Sequence, residues 1–273
     1  MKTGDWGRLK PDEFKSWDSF RSFANSVRHG RRFVREAEAD AFLATVLATS
    51  SGREIELKKG MILYRAQRGI EWRETFDEDG QLLGEEPSGY GSDRMKPRTN
   101  RATEGRINPS GIPVLYLATT EQTAISEVRP WIGASVSVAQ FGLKRKLRTI
   151  DLSRGHGRHS WSEIKLSHLL GDEQPDAETK ERAVWVDIDN AFSKPITLSD
   201  DLADYAPTQI LAEMFRNAGF DAVAYRSQFG KNGYNIALFS LDDADPLNCA
   251  PYEVTSIEVV AKEAGNRWYK AKS

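Results

Sequence analysis

The spacing of apolar residues changes period along the chain. From Phe14 to Val27, the positions Phe14, Trp17, Phe20 and Val27 recur at near-helical intervals. A second amphipathic stretch, 33–47, places Phe33, Val34, Ala37, Phe42, Leu43, Val46 and Leu47 on or near one face. His29-Gly30 supplies a stop for the first helix, and Thr49-Ser50-Ser51-Gly52 a stop for the second. Beyond residue 54 short strand-like runs take over: 62–66, 114–118, 135–141, 147–152, 222–225, 235–239 and 254–260. Helical patterns fall between them. One opens at Thr120 and stops at Pro130, one occupies about 160–192 with a break near 171–175, and one spans 208–217 before Gly219. The segment 71–104, rich in Gly, Glu, Pro, Asp and Arg, reads as a long loop, and a loop of that length in a compact domain is commonly functional or disordered. Strands and helices mix without a regular βαβ alternation, which predicts an α+β fold. The expected organisation is a helical N-terminal module over 1–54 and a main body over 55–273 that carries an insert at about 71–104.

Composition narrows the function. A chain of 273 residues can bury a substantial core. Its net charge of −2 gives no global basic field, so nucleic acid is not a favoured partner. Cys249 stands alone and cannot form an internal disulfide, which suits a reducing compartment. The first residues lack the apolar stretch of a signal peptide, and no run approaches a membrane span. The expectation is a cytoplasmic protein without a membrane partner.

Against this background a few polar residues threaded through apolar runs stand out. Arg65 lies in Leu63-Tyr64-Arg65-Ala66 and Arg106 in the Gly-bounded segment Gly105-Arg106-Ile107-Asn108-Pro109-Ser110-Gly111. A charge so placed is costly unless paired, and a guanidinium matches phosphate oxygens two at a time, so converging arginines would clamp a pyrophosphate. A structural ion pair would serve each arginine equally. Tyr116, central in Val114-Leu115-Tyr116-Leu117-Ala118, is either plain core or a flat face for a ring with a hydroxyl for a ribose. Glu127 ends the next helical stretch. It is either a surface carboxylate or one placed to stabilise the positive charge that develops on a sugar as its bond to a base breaks. Ser227 and Asn235, at the ends of neighbouring strands, are either turn formers or substrate contacts. His156-Gly157-Arg158-His159 has no acidic or cysteine partner at metal-site spacing, so no metal is expected. The run Lys144-Arg145-Lys146-Leu147-Arg148 reads as a solvated strand edge.

The order of these elements resembles the RES domain family, named for its arginine, glutamate and serine. The resemblance runs from about Gly60 to Ser240. It is carried by Leu63-Tyr64-Arg65, by Gly105-Arg106-Ile107-Asn108 with Gly111, by Val114 to Ala118 leading to Ala124-Ile125-Ser126-Glu127, and by Asp204 to Gln209, Gly219-Phe220-Asp221, Tyr225-Arg226-Ser227 and Asn235 to Phe239. It implies an ADP-ribosyltransferase-like mixed-sheet core around an NAD cleft. It further implies an enzyme that consumes NAD by phosphorolysis or hydrolysis of the nicotinamide–ribose bond, as a toxin paired with an antitoxin protein. On this reading NAD is substrate, inorganic phosphate a possible co-substrate, and no cofactor is needed. Glu127, Arg65 and Arg106 are then the catalytic set, with Tyr64, Tyr116, Ser227 and Asn235 as substrate-binding residues. Transfer of ADP-ribose to a macromolecule is the alternative chemistry, and a non-catalytic nucleotide-binding module the alternative class. The 71–104 insert and the N-terminal helices exceed the family pattern, and a lid, a partner surface or a regulatory element would each account for them.

Overall fold

The computed structural model describes residues 12–99, 101–164, 175–194, 202–229 and 233–259, with positions 261, 263, 265 and 267. Ten strands and six helices are named in chain order. The helices are α1 (Ser19–His29), α2 (Ala37–Thr49), α3 (Ser92–Met95), α4 (Glu121–Glu127), α5 (Ala177–Ser193) and α6 (Ala206–Asn217). The strands are β1 (Glu54–Leu57), β2 (Ile62–Arg68), β3 (Glu71–Phe76), β4 (Leu82–Ser88), β5 (Leu115–Ala118), β6 (Ser135–Leu143), β7 (Leu147–Leu152), β8 (Ala222–Arg226), β9 (Tyr234–Leu238) and β10 (Ala244–Glu253). Eight of them form one mixed sheet in the order β1-β7-β8-β9-β5-β2-β6-β10, in which only β7 and β8 run parallel, and β3 and β4 pair separately as a hairpin. The fold is α+β. Among the described residues no helix is long and apolar enough to cross a membrane.

Alternation along the strands sorts the core into two faces. Val223, Tyr225 and Ala237 point to a layer built from α1, α2, α5 and α6, with Tyr116 packed against it. Leu115, Leu117, Ala222, Ala224, Ile236 and Leu238 point the other way, onto Leu63, Phe141 and Leu147. α1 and α2 bury Phe20, Phe23, Val27, Phe42 and Val46 in the same cluster as the sheet residues, so they are part of the main core. A buried ion pair ties the layers: Asp189 of α5, wholly buried, accepts from Arg53 at 2.8 Å and from the Gly155 amide at 2.6 Å. Burial pushes the Asp189 carboxyl up to about 6 despite the Arg53 charge.

Several elements differ from the sequence expectation. α1 begins at Ser19, and Phe14 reaches the core from outside it. α2 begins at Ala37, so Phe33 and Val34, expected on its apolar face, lie in the preceding turn at 97% and 74% exposure. Residues 71–88 form the hairpin rather than a loop; its acidic composition hid the strands, and only the pairing of Glu71–Phe76 with Leu82–Ser88 reveals them. The last strand is Ala244–Glu253 and not 254–260, of which 254–259 are described and carry no strand. β10 contains Pro246 and Pro251, which an edge strand tolerates because an outward-facing position needs no N–H for the ladder. Within the expected 160–192 helical stretch, Ser160–Glu163 is a 3₁₀ turn and α5 starts at Ala177; of the break expected near 171–175, residues 171–174 lie outside the described residues.

Candidate active site

The site begins where the sheet comes apart. β2 pairs with β6 over Ile62–Arg68, but with β5 only through Tyr64↔Ala118. Beyond that pair β2 and β5 diverge, and a cavity of about 370 Å³ opens at the split. Tyr64, Arg65, Arg106, Tyr116, Glu127 and Asn235 all line it, although they come from β2, the 101–114 loop, β5, α4 and β9.

Glu127 is the best-held of these groups. α4 is started by Thr120, whose hydroxyl accepts from the Thr123 amide at 3.1 Å, and it ends at Glu127 itself. The Ser227 hydroxyl donates to Glu127 Oε1 at 2.7 Å and the Asn235 amide donates to the same oxygen at 2.6 Å. Both donors are buried. Neither engages Oε2, so the carboxylate is fixed by one oxygen. Ser227 therefore acts through Glu127, and it also accepts from the Phe229 amide at 3.1 Å, which shapes the loop beside the cavity. Gly233 lets this loop approach α4: a Cβ there would lie 1.9 Å from Thr123 Oγ1.

The arginines are braced by backbone. Arg65 Nη1 reaches across the split to the Tyr116 carbonyl at 3.0 Å. Burial lowers its guanidinium pKa to about 10, which leaves it charged at neutral pH. Arg106 donates through Nη1 and Nη2 to the carbonyls of Phe192 and Lys194 at the end of α5, and lies 5.7 Å from the Tyr225 ring centre. In both residues Nε is buried with no hydrogen-bond partner among the described residues.

Tyr116 offers its ring more than its hydroxyl. The hydroxyl donates to Asn108 Oδ1 at 2.7 Å and accepts from the Ile107 amide at 3.0 Å, so it is spent on positioning the Arg106 loop. Burial raises the pKa of both Tyr116 and Tyr225, and each remains a neutral phenol. Gly105 is required by this closeness, since a Cβ would lie 2.8 Å from the Tyr116 hydroxyl and 2.9 Å from Asn108 Oδ1. The start of α6 braces the same loop from below. Gln209 Nε2 donates to the Gly105 and Asn108 carbonyls at 2.9 and 3.1 Å, and the Thr208 hydroxyl donates to the Arg106 carbonyl at 2.7 Å.

Residue patterns had not singled out two further members. Arg129 lines the cavity with its guanidinium 4.7 Å from the Phe229 ring centre, and Phe229 lines it too. Arg129 is the one non-glycine described residue with positive φ, at 46°, a conformation that is costly for a long side chain. No local sequence pattern marks such strain; a charged residue between Val128 and Pro130 was the only signal available. His156 and His159 lie away from this cavity, and among the described residues no group of three or more His, Cys, Asp or Glu side chains could hold a metal.

A cavity lined by three arginines, one fixed carboxylate and tyrosine and phenylalanine rings is suited to an anionic ligand that also carries a flat ring. Fold and cleft thus define an α+β protein with an arginine-lined cavity at a split central sheet. The chain belongs to the RES domain family, whose model matches residues 83–259. That span contains Arg106, Tyr116, Glu127, Ser227 and Asn235, while Arg65 and the α1–α2 pair precede it. No curated protein matches the chain. Among solved structures, a chain of the M. tuberculosis MbcT–MbcA toxin–antitoxin complex is similar at 15% identity and a TM-score of 0.37, over 74% of this chain and 88% of that one.

Proposed function

We propose that this protein is an NAD-consuming enzyme that breaks the nicotinamide–ribose bond, and that it acts as the toxin of a toxin–antitoxin pair. The observation that carries the reading is the doubly held Glu127 carboxylate inside a cleft walled by Arg65, Arg106 and Arg129. The guanidinium charges of Arg65 and Arg106 in the cavity wall suit a pyrophosphate, and the rings of Tyr64 and Tyr116 suit the planar parts of a dinucleotide.

The chemistry follows from charge. As the C1′–N bond lengthens, the electron pair goes to the pyridinium nitrogen, nicotinamide leaves as a neutral base and positive charge grows on the ribose. A carboxylate held rigid by Ser227 and Asn235 stabilises that charge without having to reorganise. An oxygen of phosphate then bonds to the same ribosyl carbon to give ADP-ribose 1″-phosphate, or an oxygen of water does so with release of its proton to solvent to give ADP-ribose. The leaving group is already cationic in the substrate, so the step calls for no cofactor.

The test is incubation of the purified full chain with NAD, with and without phosphate, followed by mass analysis. Free nicotinamide with ADP-ribose or its phosphate is expected, and the phosphate arm separates phosphorolysis from hydrolysis. Label from NAD appearing on a macromolecule would instead favour transfer, and binding of NAD without turnover would reduce the protein to a nucleotide-binding module. Glu127→Ala should remain folded and lose turnover; an equally active Glu127→Ala protein would sink the mechanism.

A further inference from the structure

The β3–β4 hairpin stands outside the main sheet and turns an unusual face to solvent. Directly opposed residues in an antiparallel pair project to the same side. On one side the register stacks Trp72 against Pro87, Glu74 against Glu85, and Phe76 against Leu82. That is the more outward side: all six are exposed, Trp72 at 61%, Phe76 at 55% and Leu82 at 59%, whereas on the other side Glu71, Thr75, Gly84 and Ser88 are half-buried and only the Arg73–Glu86 pair is exposed. A two-stranded hairpin is marginal in water, and like charges directly opposite each other weaken it further. Its one arginine, Arg73, is taken by Glu71 at 2.6 Å and does not relieve the Glu74–Glu85 pair. The face is therefore a carboxylate pair set between two apolar pairs. It would be stabilised by a surface that brings cations flanked by apolar side chains.

The same chain carries such a surface. In the turn between α1 and α2, Arg31-Arg32-Phe33-Val34 leaves Phe33 and Val34 largely exposed. The flanking Arg28 and Arg35 are neutralised by Asp204 and Asp40 at 3.0 and 2.8 Å, while Arg31 is exposed and Arg32 donates only to neutral carbonyls. Two carboxylates with apolar flanks thus have a counterpart of two cations with apolar neighbours. The two surfaces are apart within one molecule: the hairpin lies against β10 at the sheet edge, and the turn belongs to the helical layer. Contact between two hairpins is disfavoured, because residues 71–88 hold seven acidic side chains and one arginine.

We propose that this protein self-associates head-to-tail, with the outward hairpin face of one copy seated on the Arg31–Val34 turn of a second copy. The contact is heterologous, so an open assembly keeps one unused hairpin at one end and one unused turn at the other until a ring closes. It does not involve the cleft and does not depend on the reaction assigned to it.

Sedimentation velocity of the full chain across concentration and salt tests the idea. Masses above the 30.7 kDa monomer are expected, falling as salt is raised. Trp72→Ser/Phe76→Ser and Phe33→Ser/Val34→Ser change only exposed side chains and should keep the wild-type melting temperature. Each should weaken association by more than about tenfold, as expected for loss of exposed apolar anchors at a contact. Mixing the two defective variants should restore a 1:1 heterodimer, because one intact hairpin and one intact turn remain between them. A wild-type monomer throughout, an oligomer that survives either double substitution, or a mixture that stays monomeric would overturn the proposal.

Discussion

Replacing Asn235 by alanine removes the shorter of the two bonds that hold Glu127, a 2.6 Å contact from a buried amide. A hydrogen bond to a charged group is worth about 1.5–3 kcal/mol, roughly a 10- to 150-fold change in rate if the lost restraint is felt only in the transition state. Ser227→Ala removes the other bond and should cost a similar amount, plus a small loss of stability because the Phe229 amide loses its acceptor. Both donors meet on Oε1, so the effects should not add. With one donor gone the carboxylate is already free to turn, and the double variant should lose less than the product of the single losses. The assay is steady-state NAD consumption with kcat and KM separated, together with thermal melting of each variant. A fall in kcat with KM nearly constant is the signature of a misplaced transition-state group. If Asn235→Ala and Ser227→Ala retain wild-type kcat while Glu127→Ala is inactive, the carboxylate needs no orientation from these residues and the reasoning is wrong.

Arg129→Gly should relieve the positive φ and hold or raise stability, by up to about 1–2 kcal/mol, while raising KM for NAD; unchanged KM would remove Arg129 from the binding set. Gly105→Ala should force the Arg106 loop away from Tyr116 and Asn108, costing about 1–3 kcal/mol of stability in a denaturant melt. Asp189 titrates near 6 in the folded protein against 3.8 as its reference value. Between these values the folded state holds more protons than the unfolded state, so the Asp189 contribution is fully present below about pH 4 and is lost as pH rises through about 6. The span corresponds to no more than about 3 kcal/mol. Asp189→Asn should flatten that part of the stability–pH curve, and an identical slope in the variant would refute the assignment.

The N-terminal helices, the strands β5 to β9 and the stop signals at Gly30 and Gly219 were legible because their apolar periods are long and their caps are local. The hairpin and β10 were not legible, because acidic residues fill the one and prolines interrupt the other. Pairing overrides weak propensity only when the partner strand is known. Within the site, Glu127, Arg65, Arg106, Tyr116 and Asn235 could be nominated from their settings and Tyr64 from the family resemblance, and the fold brings all of them to one cavity. Their division of labour could not. That Ser227 serves Glu127, that the Tyr116 hydroxyl serves the Arg106 loop, and that Arg129 joins the wall all depend on contacts between residues far apart in the chain.

What the sequence determined by itself was the inventory: which segments could be helix or strand, which polar residues interrupt apolar runs, and the family pattern they spell together. Those properties are local and are written in period, cap and neighbour. The tertiary structure alone decided that β2 and β5 part after a single pair, and so where a cavity exists at all. It also decided that two donors, Ser227 just after β8 and Asn235 of β9, converge on one oxygen of α4, and that the charged hairpin faces outward with its carboxylates opposed. Those outcomes rest on register and on long-range hydrogen bonding, which no window of neighbouring residues encodes.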